Sequence, residues 1–240
     1  MLKGMFTAVA LSAACIAGAA SAATVSLTHY AGGSADLAAA RAAKSAFDQP
    51  HVVGSEDFEG FATRTFTEFT SGPFTFTSST TGTCGSSCTG TGQTAWVRDA
   101  SGQPGPYGRF NTTLGGSKWL DSNDRTWINI AIDTGQTLFT RFSLLLTDID
   151  DVASDQFSVT VGDIETTYYT SNYGNADLFL LTFDFGTAVS AANIKLKIDG
   201  GDGFGIDDLT ISAVPVPATL PLLAAGLGLM GWVGRRRKTA

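Results

Sequence analysis

Carboxylates are the side chains of this 240-residue chain best placed by type and spacing to do chemistry. Two acidic segments mix them with strand-forming residues: Glu56-Asp57-Phe58-Glu59-Gly60-Phe61 and Asp202-Gly203-Phe204-Gly205-Ile206-Asp207-Asp208-Leu209. In the second, Phe204 and Ile206 share one phase of the alternation, and Leu209 and Ile211 share the other. Both pairs can be buried only if one extra residue intervenes, which predicts a β-bulge at Asp207-Asp208. A bulge beside paired carboxylates exposes backbone carbonyls next to hard anionic ligands, the donor set Ca²⁺ prefers. Glu59, Asp207 and Asp208 are therefore candidate ligands of a structural calcium; the alternative is an acidic strand end facing water. A third cluster, Asp148-Ile149-Asp150-Asp151 with Asp155, lacks the alternation, central Gly and terminal Glu of an EF-hand loop. It reads first as a solvated turn, with a cation site as the second reading.

Nucleophilic catalysis needs a base, and the two histidines, His29 and His51, lie near the N-terminus, outside the strand-rich region. A carboxylate pair could serve a glycosidase, but with 22 acidic residues such pairs are cheap to find. No catalytic residue is singled out, and the chain is not expected to be an enzyme. Trp96, Tyr107, Trp119, Trp127, Tyr168, Tyr169 and Tyr173 are candidate sugar platforms. Tyr107 and Tyr173, in Gly-rich loops, are the better ones, and Trp127 is a poor one because its alternation with Asn129 leaves its face undecided. Cys84-Gly85-Ser86-Ser87-Cys88 holds the two cysteines that follow the leader, and in an oxidising setting they read as a small-loop disulfide. Zinc and redox-active readings of the pair are less favoured, since neither histidine is near in sequence.

The two ends set where this chemistry operates. Lys3, an apolar stretch from Met5 to Ala20 and the small residues Ala20-Ser21-Ala22 read as a secretory signal peptide cut after Ala22. Ser12 stands where a lipobox needs an aliphatic residue, which argues against lipidation at Cys15. At the other end, Val214-Pro215-Val216-Pro217-Ala218 is followed by an uncharged run to Gly234 and then by Arg235-Arg236-Arg237-Lys238. The 17 residues from Ala218 to Gly234 would reach roughly 25 Å as a helix, near the lower limit for crossing a bilayer. The basic cluster would stay in the cytoplasm, leaving everything before Val214 outside the inner membrane. A plain C-terminal anchor is the simpler alternative.

This three-part ending resembles the PEP-CTERM class of sorting signals, in the VPxPA variant matched by Val214, Pro215, Pro217 and Ala218. The resemblance covers 27 residues and departs from the commonest form in lacking Pro-Glu-Pro. It implies an exosortase-type membrane enzyme as partner, removal of the tail, an inner-membrane intermediate and delivery to the cell surface or medium, often with exopolysaccharide. Phe58-Glu59 and Ile206-Asp207-Asp208 are similar to the "FE" and "IDD" segments of jelly-roll sandwiches of the carbohydrate-binding kind. That similarity implies that the two segments lie close and that a calcium there is structural.

The remaining chain divides into a helical segment at 23–51 and a β-sandwich domain at 52–213, flanked by the signal peptide at 1–22 and the tail at 214–240. Between Ala23 and Ala213, ten basic against 22 acidic residues give a net charge of −12. That surface repels nucleic acid, which is excluded as a partner. Ser34 to Phe47 predicts the one soluble helix, short and peripheral. From Val52 onward, period-two alternation predicts strands near 56–61, 64–69, 73–78, 94–98, 108–112, 127–133, 138–147, 156–162, 165–169, 178–185, 193–198 and 204–212. Many short strands with one helix make the fold mainly β: an antiparallel, jelly-roll-like sandwich with a short N-terminal helix and a C-terminal transmembrane helix. The competing roles are a surface or matrix protein bound to exopolysaccharide, a calcium-stabilised glycan-binding module and a polysaccharide-acting hydrolase.

Overall fold

Runs of β-branched and aromatic residues bounded by Gly, Asn and Asp become strands, backbone hydrogen bonds pair them into two sheets, and their apolar faces pack the sheets together. A computed structural model describes residues 23–79, 95–99, 108–123, 125–149, 156–169, 173–199, 202–214 and 226. Among these the strands are β1 (Thr24–Tyr30), β2 (His51–Glu56), β3 (Arg64–Phe66), β4 (Glu68–Ser71), β5 (Phe74–Ser78), β6 (Ala95–Asp99) and β7 (Lys118–Asp121). They continue with β8 (Trp127–Asp133), β9 (Phe139–Thr147), β10 (Gln156–Val161), β11 (Ile164–Tyr169), β12 (Leu178–Val189), β13 (Ala191–Asp199) and β14 (Gly205–Ala213). A 3-10 turn (Gly33–Asp36) leads into the helix α1 (Leu37–Asp48).

One sheet has eight strands in the order β1-β12-β9-β14-β7-β6-β3, with β2 also pairing β14; the other has six in the order β11-β10-β13-β8-β5-β4. The pairing is antiparallel throughout. The inner faces meet in one apolar core, with Phe142, Leu144 and Leu146 of β9 on one side and Ile128, Ile130 and Ile132 of β8 on the other. On the outside of the larger sheet, α1 covers Leu145, Leu178 and Leu180 with Ala40, and Phe110 joins that second cluster. Strands β9 and β12 are thus covered on both faces, as their continuous apolar runs require. Polar groups fix the helix in place. Lys44 Nζ donates to Asp48 Oδ2 at 2.8 Å and to Thr210 Oγ1 at 2.6 Å, while Ser143 Oγ donates to Asp48 Oδ1 at 2.6 Å. A buried charge pair survives only with its remaining valences filled in this way.

Four expectations change. The segment 23–51 is not simply helical, because Thr24–Tyr30 pairs along its whole length with β12 as an edge strand. Residues 56–61 do not form a strand: β2 ends at Glu56, and Phe58 turns into the left-handed region at φ 59° with its ring fully buried. Residues 108–112 are irregular, and the strand that follows them is Lys118–Asp121. Asp148 and Ile149 are buried instead of lying in a solvated turn. Cys84 and Cys88, Tyr107, Asp150, Asp151 and Asp155, the leader 1–22, Pro215 to Ala218 and Arg235 to Arg237 lie outside the described residues. Among the described residues no helix is long and apolar enough to cross a membrane.

Candidate functional site

The phase change in β14 produces the bulge it predicts. Pairing with β9 runs from Gly205 to Asp207, is interrupted, and resumes at Thr210, and Asp208 sits at φ 50°. Phe204, Ile206, Leu209 and Ile211 are all fully buried as a result. On its other edge β14 pairs with β7 at Gly205 and Ile206 and with β2 from Leu209 onward, so the bulge falls in the gap between two partner strands. A buried gap would leave N–H groups without acceptors, and the Asp207 carboxylate fills it. Its Oδ2 accepts from Thr112 N at 2.6 Å, Thr113 N at 3.1 Å and Asn111 Nδ2 at 3.2 Å, while Oδ1 accepts from Asp208 N at 2.8 Å. Asp208 accepts from the Thr113 hydroxyl at 2.8 Å and the Thr112 hydroxyl at 3.1 Å. Glu59 Oε1 accepts from Lys118 N at 2.6 Å, Ser117 N at 2.8 Å and Asn111 Nδ2 at 3.1 Å. Asn111 therefore joins the two acidic segments, and Glu59, Asp207 and Asp208 do come together.

The chemistry of that meeting is a carboxylate held by amide donors. The amide hydrogens occupy the faces of Glu59 Oε1 and Asp207 Oδ2 that a hard cation would need, and Lys118 Nζ adds a positive charge 2.9 Å from the Glu59 carbonyl. In this structure those two oxygens are satisfied by protein donors. Among the described residues no group of three or more His, Cys, Asp or Glu side chains is arranged to hold a metal. Burial first, then the Asp208 carboxylate, push the Asp207 carboxyl well above the usual carboxylate range, against the opposing pull of its hydrogen bonds from Thr112 and Asp208.

A second buried assembly centres on Arg109, which sequence reasoning missed. Its guanidinium meets Asp121 at 2.9 Å, Asp148 at 3.4 Å and Asp202 at 3.5 Å. Arg98 pairs with the other oxygen of Asp121, and Ala176 N donates to Asp148 at 2.9 Å. All four residues of the cluster are under a tenth exposed. Two glycines make room for it. A Cβ on Gly203 would come within 2.5 Å of the Arg109 guanidinium carbon, and one on Gly108, at φ 81°, would strike Asp148 and Asn175. The cluster joins the loop before β7, the end of β9 and the loop before β14.

The aromatic candidates separate by burial. Trp119 is fully buried, and Tyr168 packs against the core, where burial pushes its phenol up. Tyr173 is engaged with the His29 ring at 4.2 Å and with Phe179 at 4.9 Å, while His29 Nε2 hydrogen-bonds Asp177 at 2.7 Å. The poorly ranked Trp127 instead lies half-buried on the outer face of the six-stranded sheet, in phase with Asn129. Lys195 reaches over its ring at 5.1 Å, and Lys197 is its cross-strand partner. From Lys195 the row continues through Asn129 and Thr77 to Glu68 on one side and through Thr160 to Glu165 on the other. Trp96, near the far edge of the larger sheet, is exposed with Arg98 4.5 Å above its ring.

The family model described as the PEP-CTERM protein-sorting motif matches residues 213–238. The match begins at Ala213, the last residue of β14. The motif supports an exported protein sorted by an exosortase-type enzyme through a membrane-anchored intermediate. No curated protein matches the chain. Among solved structures the chain is similar to the K1 cleaved adhesin domain of Lys-gingipain from Porphyromonas gingivalis W83, at 12% identity and a TM-score of 0.37. That likeness covers 68% of this chain and 98% of that one.

Proposed function

We propose that the mature protein is a non-catalytic component of the cell surface or extracellular matrix, released from its membrane tail by the sorting enzyme and associated with exopolysaccharide. The observation that carries this reading is the position of the sorting motif, which starts where the central strand β14 ends. The folded domain is the cargo and the tail is its address. The non-catalytic reading is supported by the state of the carboxylates. The Asp207 carboxylate and Glu59 Oε1 accept from backbone amides, and the carboxylates of Asp121, Asp148 and Asp202 face Arg109, so each is engaged within the fold. Intact mass spectrometry of protein recovered from the native surface and medium tests the sorting. The expected mass lacks residues 1–22 and everything beyond the Val214–Ala218 motif. A mass that retains the tail would leave a simple anchored protein.

Polysaccharide association is supported by the outer face of the six-stranded sheet. There Trp127 offers an aromatic surface, and Lys195 and Lys197 bring two cations onto a domain whose net charge is otherwise strongly negative. That pairing suits an acidic glycan. Trp127→Ala is expected to weaken retention on the organism's own acidic polysaccharide about tenfold, equivalent to about 1.4 kcal/mol. Trp96→Ala serves as the control. Equal behaviour of the two variants and the parent in affinity electrophoresis would remove the glycan from the proposal while leaving the sorting intact.

A further inference from the structure

Among the described residues six large apolar side chains are exposed, and four of them sit at one end of the sandwich. Val52 (49% exposed) pairs opposite Ser212 at the start of β2, and Val214 (39%) follows the end of β14. Leu138 (54%) precedes β9, beside Thr140, whose hydroxyl accepts the Val214 N–H at 3.0 Å. Ile164 (43%) opens β11, just past the turn that follows β10. The other two, Trp96 and Leu114, lie toward the start of β14, where Trp96 pairs with Asp121 and Asp121 with Gly205. The end with four apolar residues is the end from which the sorting tail leaves. Thr24, the start of β1, is level with it, since Thr24 pairs with Asp184, Asp184 with Arg141, and Arg141 with Ser212.

Covalent geometry then fixes how far this rim can stand from the membrane. Val214 is tied to the fold, and the apolar run begins at Ala218. Four Cα steps reach about 14 Å at most, and the headgroup layer occupies roughly 5–8 Å of that distance. The tether leaves the middle of a sheet whose seven in-line strands make it roughly 30 Å wide. A body that broad on so short a leash touches the surface with its rim at even a modest tilt. We infer that this rim, carrying Val52, Leu138, Ile164 and Val214, is a membrane-docking face that rests in the headgroup region of the inner membrane until the tail is cut.

The partner is the lipid interface itself. The rim's exposed ionisable side chains include Asp133, Asp163, Glu165 and His51, and Arg141 just above them is paired with Asp184 at 3.1 Å. The exposed side-chain charge of the described rim is mostly acidic, so the attraction of the rim is apolar and works with zwitterionic lipid. Docking of this kind holds the domain upright and brings the residues after Val214 to the depth at which a membrane enzyme meets them. Once the tail is removed, four scattered apolar side chains are too few to retain the protein, and it leaves the inner membrane.

This inference rests on the tail entering the membrane, and the experiment reads the two separately. The unprocessed full chain, from a host without a sorting enzyme, is placed in phosphatidylcholine nanodiscs with a solvatochromic amino acid at one position at a time. Positions 52, 138 and 164 probe the rim, 114 a site away from it beside the β14 bulge and 227 the tail. The expected result is blue-shifted emission, shielded from aqueous quencher, at 52, 138, 164 and 227, with 114 unshifted, and smaller rim shifts as anionic lipid is added. An apolar signal at 227 with aqueous signals at all three rim positions would overturn the docking face while leaving the anchored intermediate standing. An aqueous signal at 227 would overturn the anchored intermediate itself. Rim signals that become shielded only when a sorting enzyme is added would assign the face to that enzyme and overturn the lipid assignment.

Discussion

Arg109→Met is expected to destabilise the domain by about 3–5 kcal/mol, the usual cost of removing one partner from a buried ionic cluster. The substitution keeps the length and apolar stem of the side chain and deletes only the guanidinium, so three buried carboxylates, Asp121, Asp148 and Asp202, lose the cation they share. Arg98 still meets Asp121, but Asp148 and Asp202 are held from other elements and lose a charged partner. A Lys at this position restores the charge without the planar fork. It can approach one or two of the carboxylates at a time, and is expected to recover only part of the loss. Urea unfolding followed by tryptophan fluorescence measures both variants. A cost below about 1 kcal/mol for Arg109→Met would mean that water reaches the cluster and screens it as it does a surface pair.

How much of this was legible in the sequence depended on whether the cause was local. The bulge at Asp207-Asp208 could be read because it is a conflict of phase within eight consecutive residues, and burial of Phe204, Ile206, Leu209 and Ile211 has one solution. The convergence of Glu59 with Asp207 and Asp208 was expected, but the ligand of those carboxylates was not. The amide donors come from residues 111–118, a stretch whose first two residues read as part of a strand at 108–112. The Arg109 cluster was invisible for a plainer reason. Two of its partners are 12 and 93 residues away, and no pattern along the chain ties an isolated Arg to them. Asp148, seen among other acids, reads as solvated until that Arg is known. The strand β1 alternates regularly between exposed and half-buried positions, but only Val25 and Leu27 of its inward positions are aliphatic and an Ala-rich helix follows closely. Trp127 illustrates the limit of alternation, which says that a side chain shares a face with Asn129 but does not say which face is covered.

Asp207 is expected to give the domain an inverted acid dependence, and Asp207→Asn to remove it. Burial and then Asp208 raise the Asp207 carboxyl in the folded state, so the folded protein holds this proton more tightly than the unfolded chain does. Where the folded state binds more protons, stability falls as pH rises. The loss begins near the unfolded-state value of about 3.9 and is complete once pH passes the raised folded-state value. Below that window the proton is bound in both states and the carboxyl contributes no slope. Asn keeps one oxygen for the amide hydrogens of Thr112 and Thr113 but turns an NH₂ toward Asp208 N, which the carboxylate accepts at 2.8 Å. At low pH it should therefore be less stable than the parent by about 1 kcal/mol, the net worth of one hydrogen bond. As pH rises the parent loses stability and the variant does not, and the gap closes or reverses. Asp207→Ala separates charge from hydrogen bonding. It strands both amide hydrogens in the gap between β2 and β7 and is expected to cost roughly 2–6 kcal/mol at low pH, with the cost shrinking as pH rises and the parent loses stability. Denaturant midpoints for the three proteins between pH 4 and 8 decide the matter. A parent that gains stability over Asp207→Asn as pH rises would show that the amide donors outweigh burial and hold the carboxylate charged.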